Sequence, residues 1–176
     1  MTRISEAVKQ DHAVVRRAFR RLRDAAPETR KPDEFMWALD RYLIVDDLVV
    51  APALEHRIAH GGTRHRRLSD DFESISAKLR HMQRFNPAEP SFDSSLSAIW
   101  VDLEPHIREE ATGDLHRLEE SLSQADSEAL AKKYDDLKEL LQHPYGKDGV
   151  PDARTLTAIL EMPRQELMVK VGISGD

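Results

Sequence analysis

One apolar helical stripe in the second half of the chain becomes polar without leaving its register. Its members recur at spacings of four and three: Phe92, Leu96, Ile99, Leu103, His106 and Glu110. Residues spaced in this way lie on one face of an α-helix. The pattern therefore predicts an imidazole and a carboxylate one turn apart on the buried face of a helix. Helical bundles build metal and acid–base sites from such pairs.

The same periodicity continues along the chain and predicts an all-α protein. The expected helices span about 5–25, 33–58, 65–85, 92–122 and a stretch beyond 124, with a short terminal segment over 155–168. Pro52 should bend the second helix and Gly61–Gly62 should end it. Four long helices with short links pack most simply as an up-down-up-down four-helix bundle.

We expect one domain over residues 1–176, with the bundle over about 4–122 and an additional C-terminal helix and tail over about 126–176. The net charge of −6 argues against nucleic-acid binding. No apolar run is long enough to span a membrane, and the N-terminus lacks an apolar signal core. The absence of cysteine fits a cytoplasmic protein. The oligomeric state is not predicted.

Polar residues occupy core positions on other helices as well. His12 lies on the stripe of the first helix, and Tyr42 and Asp46 lie four apart on the stripe of the second. The third helix places Phe72 at the corresponding level, with His65 two turns earlier. A buried carboxyl group needs a partner, a proton or a metal. We therefore expect these side chains to meet in the centre of the bundle.

Three segments resemble the hemerythrin-like (HHE cation-binding) family: DHAVVRRAF, YLIVDDLVVAPALEH and LEPHIREEATGDLHRLEE. The resemblance covers roughly residues 4–122. It implies a helical bundle that holds two irons through histidines and two bridging carboxylates. Carried over position by position, it implies ligands at His12, His106 and Glu110, all of which are retained.

The chain departs from the family's pattern in its second and third helices. The family's His-x-x-x-Glu pair falls on Tyr42 and Asp46, and its third-helix histidine falls on Phe72. Two imidazoles are thus lost, which disfavours an oxygen-carrying diiron site. The remaining candidate ligands can hold at most one divalent metal such as Zn²⁺, Fe²⁺ or Mn²⁺: His12, Asp46, His106 and Glu110. A metal-free site is the alternative.

Two functional classes follow. In the first, the protein is a repurposed enzyme for a small organic molecule, of lyase or isomerase type, acting by non-redox elimination, rearrangement or ring opening. The expected catalytic residues are Glu110, Asp46, Tyr42 and His106, and the expected pocket residues are Phe72, His12 and His65. In the second, the protein binds or senses a metal or dioxygen without catalysis. A structural alternative makes His12 a hydrogen-bonded core group and His106–Glu110 an internal ion pair.

Overall fold

The computed structural model describes residues 1–58, 61–141 and 162–170, with the backbone alone for 61–69 and a few C-terminal positions. Most of these residues are helical, and none of them lies in a β-strand. The α-helices are α1 (Ile4–Asp24), α2 (Asp33–Val45), α3 (Ala51–Arg57), α4 (Gly61–Met82), α5 (Pro90–Glu109), α6 (Leu115–Ser121), α7 (Gln124–Leu140) and α8 (Arg164–Lys170). A short 3-10 turn, Pro27–Thr29, links α1 and α2.

Two of the long helices are composite. A π-helical turn over Asp46–Val50 joins α2 to α3, and another over Glu110–Asp114 joins α5 to α6. α1 packs on α2, α3 on α4, α4 on α5, and α6 returns to α1. This closed ring confirms the predicted all-α, four-helix bundle.

Apolar side chains on the inner faces bury the core of the bundle. On α1 the predicted stripe is buried as expected, from Val8 through Phe19 to Leu22. Phe19 stacks on Trp100 of α5 with ring centroids 4.0 Å apart. At the start of α1, the backbone N–H of Arg3 donates to Oε2 of Glu6 at 2.9 Å, and the backbone N–H of Glu6 donates to the carbonyl of Arg3 at 3.0 Å. The hydrogen bonds at its N-terminus determine where α1 begins, and burial of the apolar stripe determines which face packs against the core.

Two boundaries refine the predictions for the second helix. Pro52 lies in the first turn of α3, directly after the first π-helical turn, so the expected irregularity is present. Since proline has no N–H, the usual helical bond at that position is missing. Gly61–Gly62 do not end this helix: Arg57 is its last residue, Ile58 is extended, and Gly61 opens α4. Glycine is well tolerated at a helix start, so the sequence signal is ambiguous.

The fifth long helix, α7, packs against α1 and α2. Tyr134 is fully buried and donates its hydroxyl to Asp11, at an O···O distance of 3.0 Å. Lys138 forms an ion pair with the same carboxylate at 2.7 Å. Ser127 of α7 accepts the backbone N–H of Ile4 at 3.1 Å. The predicted additional helix is therefore fixed along the length of α1.

The expected terminal segment lies largely outside the described residues, apart from Met162 onwards and α8. Met162 and Met168 are partly buried against the core. None of the helices in the described part of the chain combines the length and the hydropathy that crossing a bilayer requires.

Candidate functional site

Each π-helical turn begins at a buried carboxylic acid. The carbonyl of Asp46 accepts the N–H of Ala51, and the carbonyl of Glu110 accepts the N–H of Leu115, both five residues ahead. In the second turn, the hydroxyl of Thr112 bonds the carbonyl of Arg108 at 2.8 Å. Such bulges are frequent at functional sites because they change the direction of the side chains around them. Here they mark the two helices that bring carboxyl groups into the core.

Glu110 is the centre of a buried hydrogen-bond cluster. Its Oε2 accepts from Nε2 of His12 at 2.6 Å and from the hydroxyl of Tyr42 at 2.6 Å. The Tyr42 ring lies edge-on to both imidazoles, with its centroid 5.3 Å from that of His12 and 6.2 Å from that of His106. Burial, with the charges of Glu110 and Asp46, raises the pKa of Tyr42 well above its usual value. The phenol therefore stays protonated and acts as a donor.

Asp46 and Glu110 are perturbed in opposite directions. Burial raises the pKa of Asp46 well above its usual value, and the charge of Glu110 raises it further. Burial also acts to raise the pKa of Glu110, but hydrogen bonds from His12 and Asp46 outweigh it, so that this pKa is lowered. Two buried acids that face each other cannot both ionise at low cost, and Asp46 is the one whose pKa is raised. A proton shared by the pair belongs to Asp46.

His106 has one nitrogen engaged and one without a partner. Its Nδ1 lies 3.0 Å from Oδ2 of Asp71 on α4, whereas its Nε2 is buried and makes no hydrogen bond. Burial lowers the pKa of His106, but the hydrogen bond to Asp71 and the charge of Glu110 outweigh burial and raise it. The ring is thereby held between the surface and the core cluster.

Three residues of the cluster can hold a metal ion. Asp46, His106 and Glu110 each offer a ligand atom within 4.8 Å of those of the other two. Each also has a buried atom without a hydrogen-bond partner: Oδ1 of Asp46, Nε2 of His106 and Oε1 of Glu110. Buried polar atoms are normally satisfied, so acceptors that face one another without a donor need a proton or a cation. The donor set therefore fits a divalent metal.

Further acidic groups surround the cluster. Asp114, at the end of the second π-helical turn, is 4% exposed, and its charge raises the pKa of both Asp46 and His106. Burial also raises the pKa of Tyr134, together with the charges of Asp11, Asp46 and Glu110. The surroundings are thus rich in negative charge, which favours a bound cation.

The structure brings together most of the predicted site residues. The side chains of His12, Tyr42, Asp46, His106 and Glu110 meet in the core. His12 contacts Glu110 and is not in the three-residue group, so its role as a ligand stays a prediction. Phe72 is partly buried against the core, and the side chain of His65 lies outside the described residues. The pocket assigned to these two residues also stays a prediction.

Two contributors were not identified from the sequence. On α4, the side chain that reaches His106 is Asp71, one position before the expected Phe72. Ser69, Asp70 and Asp71 are consecutive polar residues, as on a solvent-exposed helical face. Only the rotation of α4 about its axis decides that Asp71, and not Asp70, contacts His106. Asp114 follows Glu110 by four residues, and residues at this spacing lie on the same face of a helix. The spacing alone could therefore have predicted that Asp114 is buried near Glu110.

The buried cluster approaches the surface at one described point. Glu110 is 0% and His106 5% exposed, whereas the side chain of Asp71 is 35% exposed. A separate cleft of about 260 Å³ lies where α3 meets α7, and none of its lining residues belongs to the cluster. Those residues are Ala53, Arg57, Leu122, Asp126, Ala129, Leu130 and Lys133.

Comparisons with known proteins agree with this geometry. Residues 3–118 match the model of the hemerythrin HHE cation-binding domain. A hemerythrin-like protein of Schizosaccharomyces pombe is 25% identical over 179 residues, spanning 95% of this chain and 85% of that protein. The crystal structure of a hemerythrin HHE cation-binding domain-containing protein from Mycobacterium kansasii superposes with a TM-score of 0.73 at 20% identity. It covers 90% of this chain and 99% of that one.

The matched segment contains every member of the buried cluster, from His12 to Asp114, and ends before α7. The structural neighbour, at its low identity, supports the helical bundle fold alone. The family match covers well over half of the chain, and it rests on the helices that carry the site. The chain belongs to the hemerythrin HHE cation-binding family.

Proposed function

We propose that this protein binds one divalent cation in the core of its bundle, through Asp46, His106 and Glu110. The observation that supports this most strongly is the convergence of three buried ligand groups, each with one atom that makes no hydrogen bond. Metal binding would satisfy all three at once, and the cation would offset the negative charge of the surroundings.

The hydrogen bonds of Glu110 favour this arrangement. His12 and Tyr42 both bond to Oε2, which leaves Oε1 for an ion. They also fix the plane of the carboxylate. One imidazole and two carboxylates suit Zn²⁺, Fe²⁺ or Mn²⁺. Since Tyr42 replaces an imidazole and donates a hydrogen bond to Glu110, a second iron would lack a ligand on α2.

A bound divalent ion would supply Lewis-acid chemistry to a coordinated oxygen. The protein groups around it have separate tasks. Tyr42 and His12 hold Glu110, Asp71 holds His106, and burial excludes water from the cluster. Because Tyr42 and Phe72 stand where the family's pattern places histidines, we propose non-redox chemistry or simple binding.

The proposal is tested by titrating metal-free protein with Co²⁺, which takes the place of Zn²⁺ and absorbs visible light. Wild-type protein should saturate at about one equivalent and show d–d bands with a nitrogen and oxygen ligand field. Glu110→Gln and His106→Ala should lose most of the affinity, whereas Glu73→Gln, on an exposed position of α4, should not. Unchanged binding in both site variants would contradict the proposal.

A second candidate function is acid–base catalysis on a small organic molecule. It is favoured by the opposite pKa shifts of Asp46 and Glu110, a division that enzymes use to separate a general acid from a general base. Tyr42 could then donate to a developing oxyanion. We propose the partly exposed α4 edge near Asp71 as the entry side. Binding or sensing of a metal or dioxygen without catalysis is the alternative.

Catalysis is tested by incubating wild-type protein and Glu110→Gln with a cell metabolite extract and comparing the products by mass spectrometry. An enzyme should consume a compound that the variant leaves intact, and Tyr42→Phe should slow that reaction. If wild type and Glu110→Gln give the same profile, and wild-type protein binds metal, the non-catalytic alternative is favoured.

A further inference from the structure

The contact between α4 and His106 assigns a role to Asp71. Oδ2 of Asp71 lies 3.0 Å from Nδ1 of His106, and the two residues come from different helices. The imidazole is 3% exposed, while the Asp71 side chain is 35% exposed. Asp71 therefore meets the ring at Nδ1 from the more exposed side, and Nε2 is buried without a hydrogen-bond partner.

The chemistry of the two groups determines which nitrogen carries the lone pair. An ionised carboxylate can only accept hydrogen bonds, so the neutral imidazole must donate from Nδ1. Its lone pair is then on Nε2, which is buried and has no hydrogen-bond partner. Without Asp71, the proton could move to Nε2, where it would block coordination, or the ring could rotate away from the core.

We propose that Asp71 is a positioning residue that holds His106 in the Nδ1–H tautomer, with Nε2 directed at the cation site formed with Asp46 and Glu110. This inference rests on the proposed metal-binding function. A carboxylate behind a ligating histidine also increases the basicity of the ligand. Among the side chains described for α4, Asp71 is the one bonded to a proposed ligand. Asp71 thus connects α4 to the site by holding a proposed ligand, without itself being one.

The neighbouring residue provides a matched control. Asp70 lies on the same helix, carries the same charge and is exposed. Substitution of either aspartate removes one negative charge from the same region. A difference in metal affinity between the two variants therefore reports the hydrogen bond to His106 and not the loss of charge. Asp71→Glu keeps the carboxylate and serves as a rescue variant. Circular dichroism and the unfolding midpoint establish that each variant is folded.

The first measurement is the Zn²⁺ dissociation constant, determined by competition with a chromophoric chelator. Asp71→Ala should weaken binding by about 10- to 100-fold, as loss of a carboxylate behind a ligating histidine does elsewhere. Asp71→Asn should fall between wild type and alanine, and Asp71→Glu should recover part of the loss. Asp70→Asn should stay within about twofold of wild type, since it touches no ligand.

The second measurement is the ¹⁵N spectrum of the His106 ring in metal-free protein at high pH, where the imidazole is neutral. Wild type and Asp70→Asn should show the Nδ1–H tautomer, and Asp71→Ala should show a shift toward Nε2–H. A purely structural role for Asp71 would leave this ratio unchanged. Since no metal is present, the spectrum reports on Asp71 independently of the proposed function.

The outcomes separate the two hypotheses. If wild type binds Zn²⁺ and Asp71→Ala matches it in both affinity and tautomer, the role of Asp71 is refuted while metal binding stands. If wild type binds no metal but Asp71→Ala changes the tautomer, metal binding is refuted, and Asp71 orients a histidine with another task. Loss of affinity in Asp71→Ala and Asp70→Asn alike would also refute the inference, because general charge would explain it.

Discussion

Replacing the two central acids one at a time should have unequal effects on the stability of the metal-free protein. Glu110 is ionised and accepts from His12 and Tyr42, so Glu110→Gln converts two charge-assisted hydrogen bonds into neutral ones. Burial raises the pKa of Asp46, so a proton shared with Glu110 resides on Asp46, and Asp46→Asn then replaces one neutral donor with another. The first change should destabilise the fold and the second should not.

The magnitude follows from the hydrogen bonds of Glu110. A hydrogen bond to a charged group contributes about 1.5–3 kcal/mol and a neutral one about 0.5–1.5 kcal/mol, so two conversions cost about 2–3 kcal/mol. In a protein of this size that corresponds to a fall of about 4–12 °C in Tm. Asp46→Asn should stay within about 1 kcal/mol of wild type, or exceed it, because no buried charge is lost.

The assay is urea unfolding at neutral pH after exhaustive removal of metal, followed by circular dichroism. Glu73→Gln and Asp70→Asn, both at exposed positions of α4, control for the chemistry of each substitution. Equal losses for Glu110→Gln and Asp46→Asn would refute the division of charge between them. A larger loss for Asp46→Asn would show that the proton resides on Glu110 instead.

Three other results are expected. Burial raises the pKa of Asp40, so the folded protein loses stability as pH rises from the ordinary carboxyl pKa toward the folded-state pKa; urea unfolding of the metal-free protein at increasing pH should show a decline that Asp40→Asn reduces. Tyr134→Phe should cost about 1 kcal/mol in urea unfolding, because Asp11 loses a buried donor while keeping its ion pair. Tyr42→His combined with Asp46→Glu should raise bound iron, measured by elemental analysis, above one equivalent; unchanged iron would mean that the missing ligands lie elsewhere.

The helices could be predicted because their apolar spacing is local. The stripe from Phe92 to His106 is one face of α5 and continues into Glu110 of the π-helical turn, and its register placed His106 and Glu110 correctly in the core. The π-helical turns could not be predicted in the same way. They depend on which carbonyl each N–H reaches, and neither Asp46–Val50 nor Glu110–Asp114 contains a proline to indicate it.

The partners of the core residues depend on how helices rotate against one another. Asp71 and Phe72 are adjacent in sequence, and the orientation of α4 decides that the aspartate meets His106. Asp11 is buried by α7, where Tyr134 bonds one of its carboxylate oxygens and Lys138 pairs with the other. Contacts between residues more than a hundred positions apart carry no local pattern.

Metal content per chain tests the central claim most directly. Protein purified without chelators or a His-tag, and analysed by inductively coupled plasma mass spectrometry, should contain up to about one equivalent of a single divalent metal. Addition of that metal should fill wild type to about one equivalent and leave His106→Ala largely empty. Two equivalents of iron with oxo-to-iron charge-transfer bands and reversible oxygen binding would contradict the account, as would a wild-type protein that takes up no metal.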